Sequence, residues 1–504
     1  MALVSYMKLF SFWKKKSVHT PHSSEPLFLY NTLHGEKELF VPRNPKSVKM
    51  YNCGPTVYDH QHLGNLRSYI FADILKRTLL YNNFTVSQVI NITDVGHLTG
   101  ENEGDADHGE DKVERGAKKA GLSTKKLVES ITREFKGELE KLNIKTSNIL
   151  FTKATDYIKD QIALVKTLEE KGYTYTTKDG VYYDTSKFHT YGELGNVSTM
   201  NLKEGARVEI NPEKKHLTDF ALWKLSPPGE KREQEWDSPW GVGFPGWHVE
   251  CTAMIFAELG RQIDIHTGGI DHIHVHHNNE IAQAEAITKK QYVKYWLHNA
   301  FITIEGKKIS KSIGNTILLR QVEDKGIAPL AYRYWLLTGH YRNPMNFTWE
   351  ALGASEIAFS RLLRLFVEKL GTKNGVVQHN YKERFHKHIN DDLDTPGAFA
   401  VLWELVRDEN IKAEDKRVTL LDFDKVLGLG LIEGHRKLIA MLKSIEKKVA
   451  TANIPKNIRN LLQKREEARA EKKWEEADKL RTAIEDKGYV VIDTDSSSQI
   501  EKKG

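Results

Sequence analysis

Residues 48–92 carry a strand–helix–strand pattern that limits the fold more than any other part of the sequence. The segment 48–52 predicts a short strand, and the Gly54–Pro55 pair ends it. From near Leu66, apolar residues recur at helical spacing, and residues 86–92 predict the next strand. Because a helical crossover joins parallel strands, the pattern predicts an α/β catalytic domain with a Rossmann-type, doubly wound parallel sheet.

The same pattern returns after a long insertion. Two segments at 173–177 and 180–184 predict a hairpin inside that insertion. Strand-like residues at 263–266 and 300–304, on either side of a helix starting at His276, then predict a return to the sheet. After residue 318 the chain is predicted to be mainly helical, with helices at 352–370, 381–390, 395–407, 436–448, 457–470 and 474–486 and a final strand at 489–492.

These patterns predict a chain of several domains, as expected for 504 residues. The predicted domains, in chain order, are a disordered extension (1–25), the catalytic domain (26–125 and 236–318), a connective insertion (126–235), and C-terminal segments at 319–375, 376–450 and 451–504. The fold class is therefore α/β with an inserted domain and a mainly helical C-terminal region.

Composition excludes several other classes of protein. No apolar run of about 18 residues is present that would predict a membrane span. Two cysteines cannot build a disulfide framework, so we expect a cytoplasmic protein. Lys8 interrupts the apolar stretch near the N-terminus, which favours an extension there over a targeting segment. The net charge of +6 is compatible with binding a polyanion without demanding it.

The sequence His62-Leu-Gly-Asn65 lies between the first strand and the first helix. Helix N-termini present unpaired N–H groups and the positive end of the helix dipole, so they attract phosphate. Gly64 lets a nucleotide approach the backbone, and the two polar side chains can donate hydrogen bonds to phosphate oxygens. By itself, the same string also fits a polar loop with a surface histidine.

A second loop, residues 307–315, is rich in lysine, serine and glycine and follows a predicted strand. Lys308 and Lys311 on such a loop can reach a triphosphate and stabilise the charge that develops on leaving pyrophosphate. Without other information, an ordinary basic surface loop explains the pattern equally well.

Two thiols, an imidazole and a carboxylate form a candidate metal site: Cys53, Cys251, His276 and Glu280. His276 and Glu280 are four residues apart and share one helical face. Zinc fits this donor set best because it accepts sulfur, nitrogen and oxygen ligands. Spacing does not select the histidine, since His272, His274 and His277 compete with His276, and a lone buried cysteine is often only a small apolar residue.

Taken in order, these segments resemble the class I aminoacyl-tRNA synthetases, and among them the cysteinyl-tRNA synthetase family. Residues 62–65 stand where that class has its HIGH signature, and residues 308–312 where it has KMSKS. The resemblance extends from about residue 27 to residue 493. The flanking strings that carry it are YNCGPTVY (51–58), NITD (91–94), SPWG (238–241), PGWHVEC (245–251), DIHTGG (264–269) and NDDLDTP (390–396).

The resemblance implies a role for each of these residues. Zinc, one ion per chain, would be held by Cys53, Cys251, His276 and Glu280. ATP, arriving with Mg²⁺, would contact His62, Gly64, Asn65, Gly268, Gly269 and Lys311. Phosphate chemistry would be assisted by His62, Asn65, Lys308 and Lys311. Substrate cysteine would lie near Gly54, Thr93, Trp247 and His266.

The sequence departs from the family pattern at a few positions. Asn65 replaces the last histidine of HIGH, although its amide can still donate to phosphate. His272, His274, Val275 and Asn278 also differ from the usual residues. None of these changes removes a predicted metal ligand.

The family implies a monomeric cysteine–tRNA ligase that forms cysteinyl-adenylate from L-cysteine and ATP and then acylates tRNA(Cys). The insertion would cover the acceptor end of the tRNA, residues 319–375 would contact its stem, and the terminal helices would reach the anticodon. Two alternatives are a ligase that transfers cysteine to an amino-sugar, as in the mycothiol pathway, and an inactive RNA-binding paralogue. The helical C-terminal third disfavours the first alternative, and the intact candidate residues disfavour the second.

Overall fold

A computed structural model describes residues 25–96, 98, 110–196, 213–227, 229, 231–309, 314–371, 373–432, 455–494 and 497–502. The predicted N-terminal extension, apart from Glu25, and the predicted helix at 436–448 lie outside these residues. The chain divides into two compact units, Met1–Arg361 with Thr372–Leu429, and Leu362–Gly371 with Gly430–Gly504. No helix in the described part of the chain combines the length and apolarity that a bilayer crossing requires.

The strands, in chain order, are β1 (Phe28–Asn31), β2 (Glu36–Leu39), β3 (Ser47–Asn52), β4 (Thr85–Ile92), β5 (Leu150–Lys153), β6 (Thr174–Thr176), β7 (Gly180–Tyr183), β8 (Phe220–Leu225), β9 (Gly243–Pro245), β10 (Ile263–Gly269), β11 (Val293–Asn299), β12 (Ile302–Ile304), β13 (Lys307–Lys308), β14 (Met345–Phe347), β15 (Tyr489–Thr494) and β16 (Ser497–Lys502).

The α-helices, in chain order, are α1 (Leu63–Tyr81), α2 (Lys112–Ala120), α3 (Thr124–Lys141), α4 (Ile158–Glu170), α5 (Trp247–Glu258), α6 (His276–Thr288), α7 (Leu319–Asp324), α8 (Pro329–Leu337), α9 (Trp349–Arg364), α10 (His379–Asn390), α11 (Thr395–Arg407), α12 (Ala413–Leu427), α13 (Lys456–Ala470) and α14 (Trp474–Glu485).

The first unit is built on a five-stranded sheet in the order β11-β10-β3-β4-β5, and all of its strands are parallel. The predicted Rossmann-type sheet is thus confirmed. Helix α1 crosses from β3 to β4, and it buries Ile70, Phe71, Ile74 and Leu75. The carboxyl ends of the strands meet at one edge, where sheets of this type bind their ligands.

The predicted return to this sheet at 300–304 is wrong. The edge strand is β11, and the residues of β12 instead pair with β13 and β14 in a separate three-stranded sheet. Nearly every residue of β11 is buried, so the strand lacks the alternation of polar and apolar side chains that reveals a half-buried strand. The sequence pattern therefore predicted the region of β12, and not β11, as the next strand of this sheet.

Three strands of the insertion form an antiparallel sheet with β9, which follows the insertion, in the order β6-β7-β8-β9, and the predicted hairpin corresponds to β6 and β7. Val181, Tyr183, Phe220 and Leu222 join its core. This core also holds residues of helices α5 and α6, which carry candidate metal ligands. The apolar packing of the insertion thus helps to fix those two helices.

The C-terminal part of the first unit contains α10, α11 and α12. The prediction for 395–407 is confirmed, whereas α12 was not predicted, since its first half alternates charged residues without a clear apolar face. The second unit contains α13, α14 and the β15–β16 hairpin, with Ile458, Leu462, Ile484 and Val491 in its core.

A fully buried arginine joins three segments of the first unit. Arg333 Nη2 lies 2.6 Å from Asp73 Oδ2 on α1, and its other nitrogens donate to the carbonyls of Leu427 and Leu142. Loss of one partner of such a pair leaves an uncompensated buried charge, which typically costs about 3–5 kcal/mol. Arg333 therefore fixes α1, whose N-terminus lies at the candidate site.

A buried carboxyl on α3 should make stability depend on pH. Burial, reinforced by Glu134 and Glu323 against Lys141 and Arg320, raises the pKa of Glu138 from 4.5 to about 7. The folded protein then binds more protons than the unfolded chain between these values, so stability falls as pH rises through the interval. We expect Glu138→Gln to stabilise the protein by about 1–2 kcal/mol at pH 8, after allowance for partial solvent access.

Urea unfolding of both proteins at pH 8 and pH 4 checks this expectation. At pH 4 the carboxyl is largely protonated in both states, so the difference between variant and parent should nearly vanish. An equal stabilisation at the two pH values would show that packing, and not charge, explains the effect.

Candidate functional site

Loops at the carboxyl ends of β3, β4 and β10 enclose a pocket, together with the β12–β13 region. Most residues singled out in the sequence line it: Cys53, Gly54, His62, Gly64, Asn65, Thr93, Trp247, Cys251, Gly268, Gly269, His276 and Lys308. Glu280 and His266 are fully buried behind the pocket wall. Lys311 lies outside the described residues.

The His62–Asn65 turn forms the N-terminal cap of α1. His62 Nδ1 accepts a hydrogen bond from the Asn65 backbone N–H, and Asn65 Oδ1 accepts one from the His62 N–H, both at 3.2 Å. This reciprocal arrangement is a capping box in which histidine and asparagine take the usual positions of serine and glutamate. It holds both candidate phosphate-binding side chains at a helix N-terminus that faces the pocket.

Gly64 and Lys308 meet at the same end of the pocket. A Cβ atom on Gly64 would lie 2.9 Å from Ile309 Cδ1, so a side chain there would press on the segment that carries Lys308. Lys308 belongs to β13, which pairs with β12 and leads into the lysine-rich loop. The two loops that the sequence assigns to the nucleotide are therefore neighbours in space.

Three of the four predicted metal ligands, Cys53, His276 and Glu280, converge on one buried cluster. Single donor atoms of Cys53, His276, His277 and Glu280 all lie within 4.8 Å of one another. The fourth predicted ligand, Cys251, does not belong to this group, although its thiol interacts electrostatically with both Cys53 and His276. His277 takes the fourth place in the group, and its Nε2 atom lies 3.3 Å from Cys53 Sγ.

The ionisable groups of the cluster shift one another's pKa values. The hydrogen bond from Cys53 lowers the pKa of Cys251 to about 6, whereas burial raises that of Cys53. Burial lowers the pKa of His276, but Cys251 and Glu280 outweigh burial and raise it to about 10. Against burial, His266 and His276 lower the pKa of Glu280 to about 2. These shifts favour the ionised forms of Cys251, His276 and Glu280, and zinc binding would require His276 to lose its proton.

One buried atom of the cluster lacks a hydrogen bond. Glu280 Oε1 has no aligned donor among the described residues, although His276 Nε2 lies 3.1 Å away. The two atoms face each other without forming a hydrogen bond, as two ligands of a shared metal ion do. With two sulfurs, one nitrogen and one oxygen, the predicted residues fit zinc.

A second layer of side chains orients these ligands. His266 Nε2 lies 3.1 Å from Glu280 Oε2, and His248 Nδ1 lies 3.0 Å from His276 Nδ1. Such partners fix the direction of a ligand and are typical of metal sites. The sequence reasoning missed His248 and assigned His266 to the substrate. The adjacent Trp247 and Cys251 in the string 245–251 were the available signal for His248.

The remaining predicted residues lie at the pocket wall. Trp247 stacks on His276, with ring centroids 4.6 Å apart. The Gly54 N–H donates to Asn91 Oδ1 at 2.6 Å, and the Asn91 amide donates to Thr93 Oγ1. A Cβ on Gly54 would lie 1.6 Å from the Asn91 carbonyl oxygen, so only glycine fits there.

Comparison with known proteins gives matches along most of the chain. The family model described as the tRNA synthetases class I (C) catalytic domain matches residues 39–356. A DALR domain model matches residues 384–431, and the model of the Cysteinyl-tRNA ligase anticodon binding domain matches residues 451–500.

Curated relatives are similar over nearly their whole length. Cysteine–tRNA ligase 1 of Burkholderia lata is 44% identical over 476 residues, which cover 94% of this chain and 97% of the relative. Cysteine–tRNA ligase of Treponema denticola is 41% identical, with 93% and 98% covered, and that of Chlamydia muridarum is 37% identical, with 94% and 99% covered.

Solved structures extend the likeness of the fold. The LeuRS–tRNA–LeuAMS complex of Agrobacterium radiobacter matches with a TM-score of 0.55 at 11% identity, over 80% of this chain and 86% of that chain. Mycobacterium tuberculosis methionyl-tRNA synthetase bound by methionyl-adenylate matches with a TM-score of 0.50 at 15% identity, over 79% and 94%. At these identities the similarity concerns the fold alone.

Proposed function

The chain belongs to the cysteinyl-tRNA synthetase family of class I aminoacyl-tRNA synthetases, and on this premise we propose how its own residues carry out the family's reaction. The protein is a cysteine–tRNA ligase. The carboxylate of L-cysteine attacks the α-phosphorus of ATP, which forms cysteinyl-adenylate and releases pyrophosphate. A ribose hydroxyl at the end of the tRNA then takes the cysteinyl group and releases AMP.

Cys53, Cys251, His276 and Glu280 would hold one zinc ion. The support is the convergence of Cys53, His276 and Glu280 in a buried cluster and the interaction of the Cys251 thiol with the first two. Zinc in this position supplies a binding site for the thiolate of substrate cysteine, and serine lacks that sulfur donor. Shape alone separates such similar substrates by only about 10²-fold.

The α1 cap and the lysine-rich loop would bind ATP with its Mg²⁺. His62 and Asn65 would donate to phosphate oxygens, and Gly64, Gly268 and Gly269 would allow close approach of the nucleotide. Lys308 and Lys311 would stabilise the charge on leaving pyrophosphate. The step needs no protein nucleophile, because positioning and electrostatic stabilisation suffice for this chemistry.

Substrate cysteine would lie between the metal cluster and the nucleotide. Trp247 and Thr93 face the pocket and would contact its backbone atoms, and Gly54 keeps the wall close to the Asn91 carbonyl. His266 would act indirectly, since its ring contacts Glu280. The protein would work as a monomer in the cytoplasm, where charged tRNA is used.

The acceptor distinguishes this function from its nearest alternative. Transfer to an amino-sugar would leave residues 384–431 and 451–500 without a role, whereas their matches to the DALR and anticodon-binding domains support tRNA. tRNA and ATP are thus the partners that the comparisons support most directly.

Pyrophosphate exchange on the purified protein tests the proposal. We expect exchange with cysteine, exchange with serine weaker by well over the about 10²-fold that shape alone provides, and close to one zinc per chain. Transfer of labelled cysteine to tRNA(Cys), with a glucosamine–inositol acceptor as the control, tests the second step. Exchange that proceeds equally well with serine would contradict the selection by zinc, and no exchange at all would indicate an inactive paralogue.

A further inference from the structure

His272 is a polar residue in the pocket that neither the metal cluster nor the nucleotide loops use. It lies in the 3-10 turn Ile270–His272, directly after β10, at the carboxyl edge of the central sheet. Its Nδ1 atom is buried and has no hydrogen-bond partner within the described residues. Its Nε2 atom lies 3.8 Å from Asp271 Oδ2, which is too long for a hydrogen bond.

The ring is held in place by its neighbours. Its Nδ1 atom lies only 2.5 Å from the position that a Cβ on Gly268 would occupy, so the ring covers this glycine. Its centroid lies 5.3 Å from that of His276 and 6.4 Å from that of Trp247. His272 therefore stands between the proposed metal cluster and the proposed nucleotide contacts at Gly268 and Gly269.

Substrate chemistry identifies the group that must lie at this point. The thiol of substrate cysteine would bind at the metal cluster. The carboxyl group is the part of the substrate that becomes joined to AMP. The carboxyl therefore lies between the sulfur and the nucleotide. An imidazole offers at least one N–H donor in either protonation state, and a carboxylate or acyl oxygen accepts it.

We propose that His272 binds the carboxyl group of substrate cysteine and keeps this contact with the acyl oxygen of cysteinyl-adenylate. The inference rests on the proposed function and adds a specificity contact that the sequence does not assign. The buried Nδ1 atom packs against Gly268, so the contact is assigned to Nε2, whose distance of 3.8 Å from Asp271 leaves it available as a donor.

Two cysteine analogues separate the carboxyl from the amino group. 3-Mercaptopropionate keeps the thiol and the carboxylate, whereas cysteamine keeps the thiol and the ammonium. Binding of each is measured by calorimetry and as competition against cysteine in pyrophosphate exchange. The main variant is His272→Phe, which keeps a ring over Gly268 but removes both nitrogens. His272→Asn restores a donor, and His274→Phe changes the exposed neighbouring histidine as a matched control.

We expect His272→Phe to weaken 3-mercaptopropionate binding about 10-fold or more and cysteamine binding less than about 2-fold. The KM for cysteine should rise while the KM for ATP stays close to the parent value. His272→Asn should recover part of the loss, and His274→Phe should match the parent. Zinc content should remain that of the parent in all variants.

Three results would overturn the inference. Unchanged binding of both analogues would show that His272 does not contact the carboxyl group. Equal weakening of both would show a general packing effect. Loss of zinc in His272→Phe would make His272 part of the metal site instead. If the unaltered protein shows no cysteine-dependent exchange, the proposed function itself fails, and this result is distinct from a failure confined to His272.

Discussion

Replacement of Cys251 by alanine should lower kcat/KM for cysteine-dependent pyrophosphate exchange by about 10³-fold or more. The substitution removes one of the two sulfur ligands proposed for zinc, and Cys251 is buried. Loss of a ligand weakens metal binding strongly. In this variant only Cys53, His276 and Glu280 would remain to bind the ion. Zinc per chain, measured on the purified variant, should fall together with activity.

His277→Ala is the matched control for this experiment. His277 lies as close to Cys53 as a ligand would, but its Nδ1 atom is 2.8 Å from His298 Nε2, which ties it into a separate histidine pair. We expect this variant to keep most of its zinc. If His277→Ala loses the metal while Cys251→Ala retains it, the ligand set is Cys53, His276, His277 and Glu280, and the proposed set is wrong.

Removal of the metal from the unaltered protein gives the same comparison without a substitution. Chelation followed by desalting should abolish exchange with cysteine, and added zinc should restore it. Persistence of full activity in protein shown to be free of zinc would falsify the proposed basis of selectivity. The unfolding midpoint before and after chelation separates a local loss from a general loss of structure.

His62→Ala has the second largest expected effect, a decrease of about 10²–10³-fold in kcat for adenylate formation. The imidazole is proposed to donate to phosphate during the reaction, and removal of one such donor commonly has an effect of this size. Because His62 also caps α1, the same change should reduce stability by about 1 kcal/mol. Single-turnover adenylate formation and urea unfolding measure the two effects separately.

His62→Asn distinguishes the cap from the chemistry. Asparagine is a good N-cap residue, so this variant should recover the stability of the parent. Its shorter side chain does not reach as far into the pocket as imidazole, and we expect its activity to stay low. If His62→Asn regains both stability and rate, the role of His62 is to hold the helix terminus, and the proposed phosphate contact is wrong.

The parts of the site that could be predicted from the sequence are those whose residues lie within one helical turn of each other. His62 and Asn65 lie three residues apart, and their local pattern predicts the helix terminus that the structure shows as a capping box. His276 and Glu280 likewise share one turn of α6. By contrast, Cys53 and Cys251 could be grouped with them only as candidates, because spacing along the chain does not report distance across a fold.

Sequence spacing also could not rank the histidines of 272–277. His272 precedes His276 by four residues, a spacing that would place both on one face of a helix. However, α6 begins at His276, so His272 lies in a separate turn. β11 escaped prediction because both of its faces are buried. In each case the missing information was tertiary: which face of an element is covered, and where one element ends.

Both cysteines of this protein lie in the cluster proposed to recognise cysteine. Its own translation therefore tests its accuracy. A copy that charged serine onto tRNA(Cys) would cause serine to be inserted at positions 53 and 251 of newly made copies, and each such error would remove a sulfur ligand. Inaccurate synthetases would thus lead to new copies that bind zinc poorly and aminoacylate little tRNA. Misreading by this enzyme would be self-limiting, because its errors would fall on the two cysteines proposed to help select the substrate before any adenylate forms.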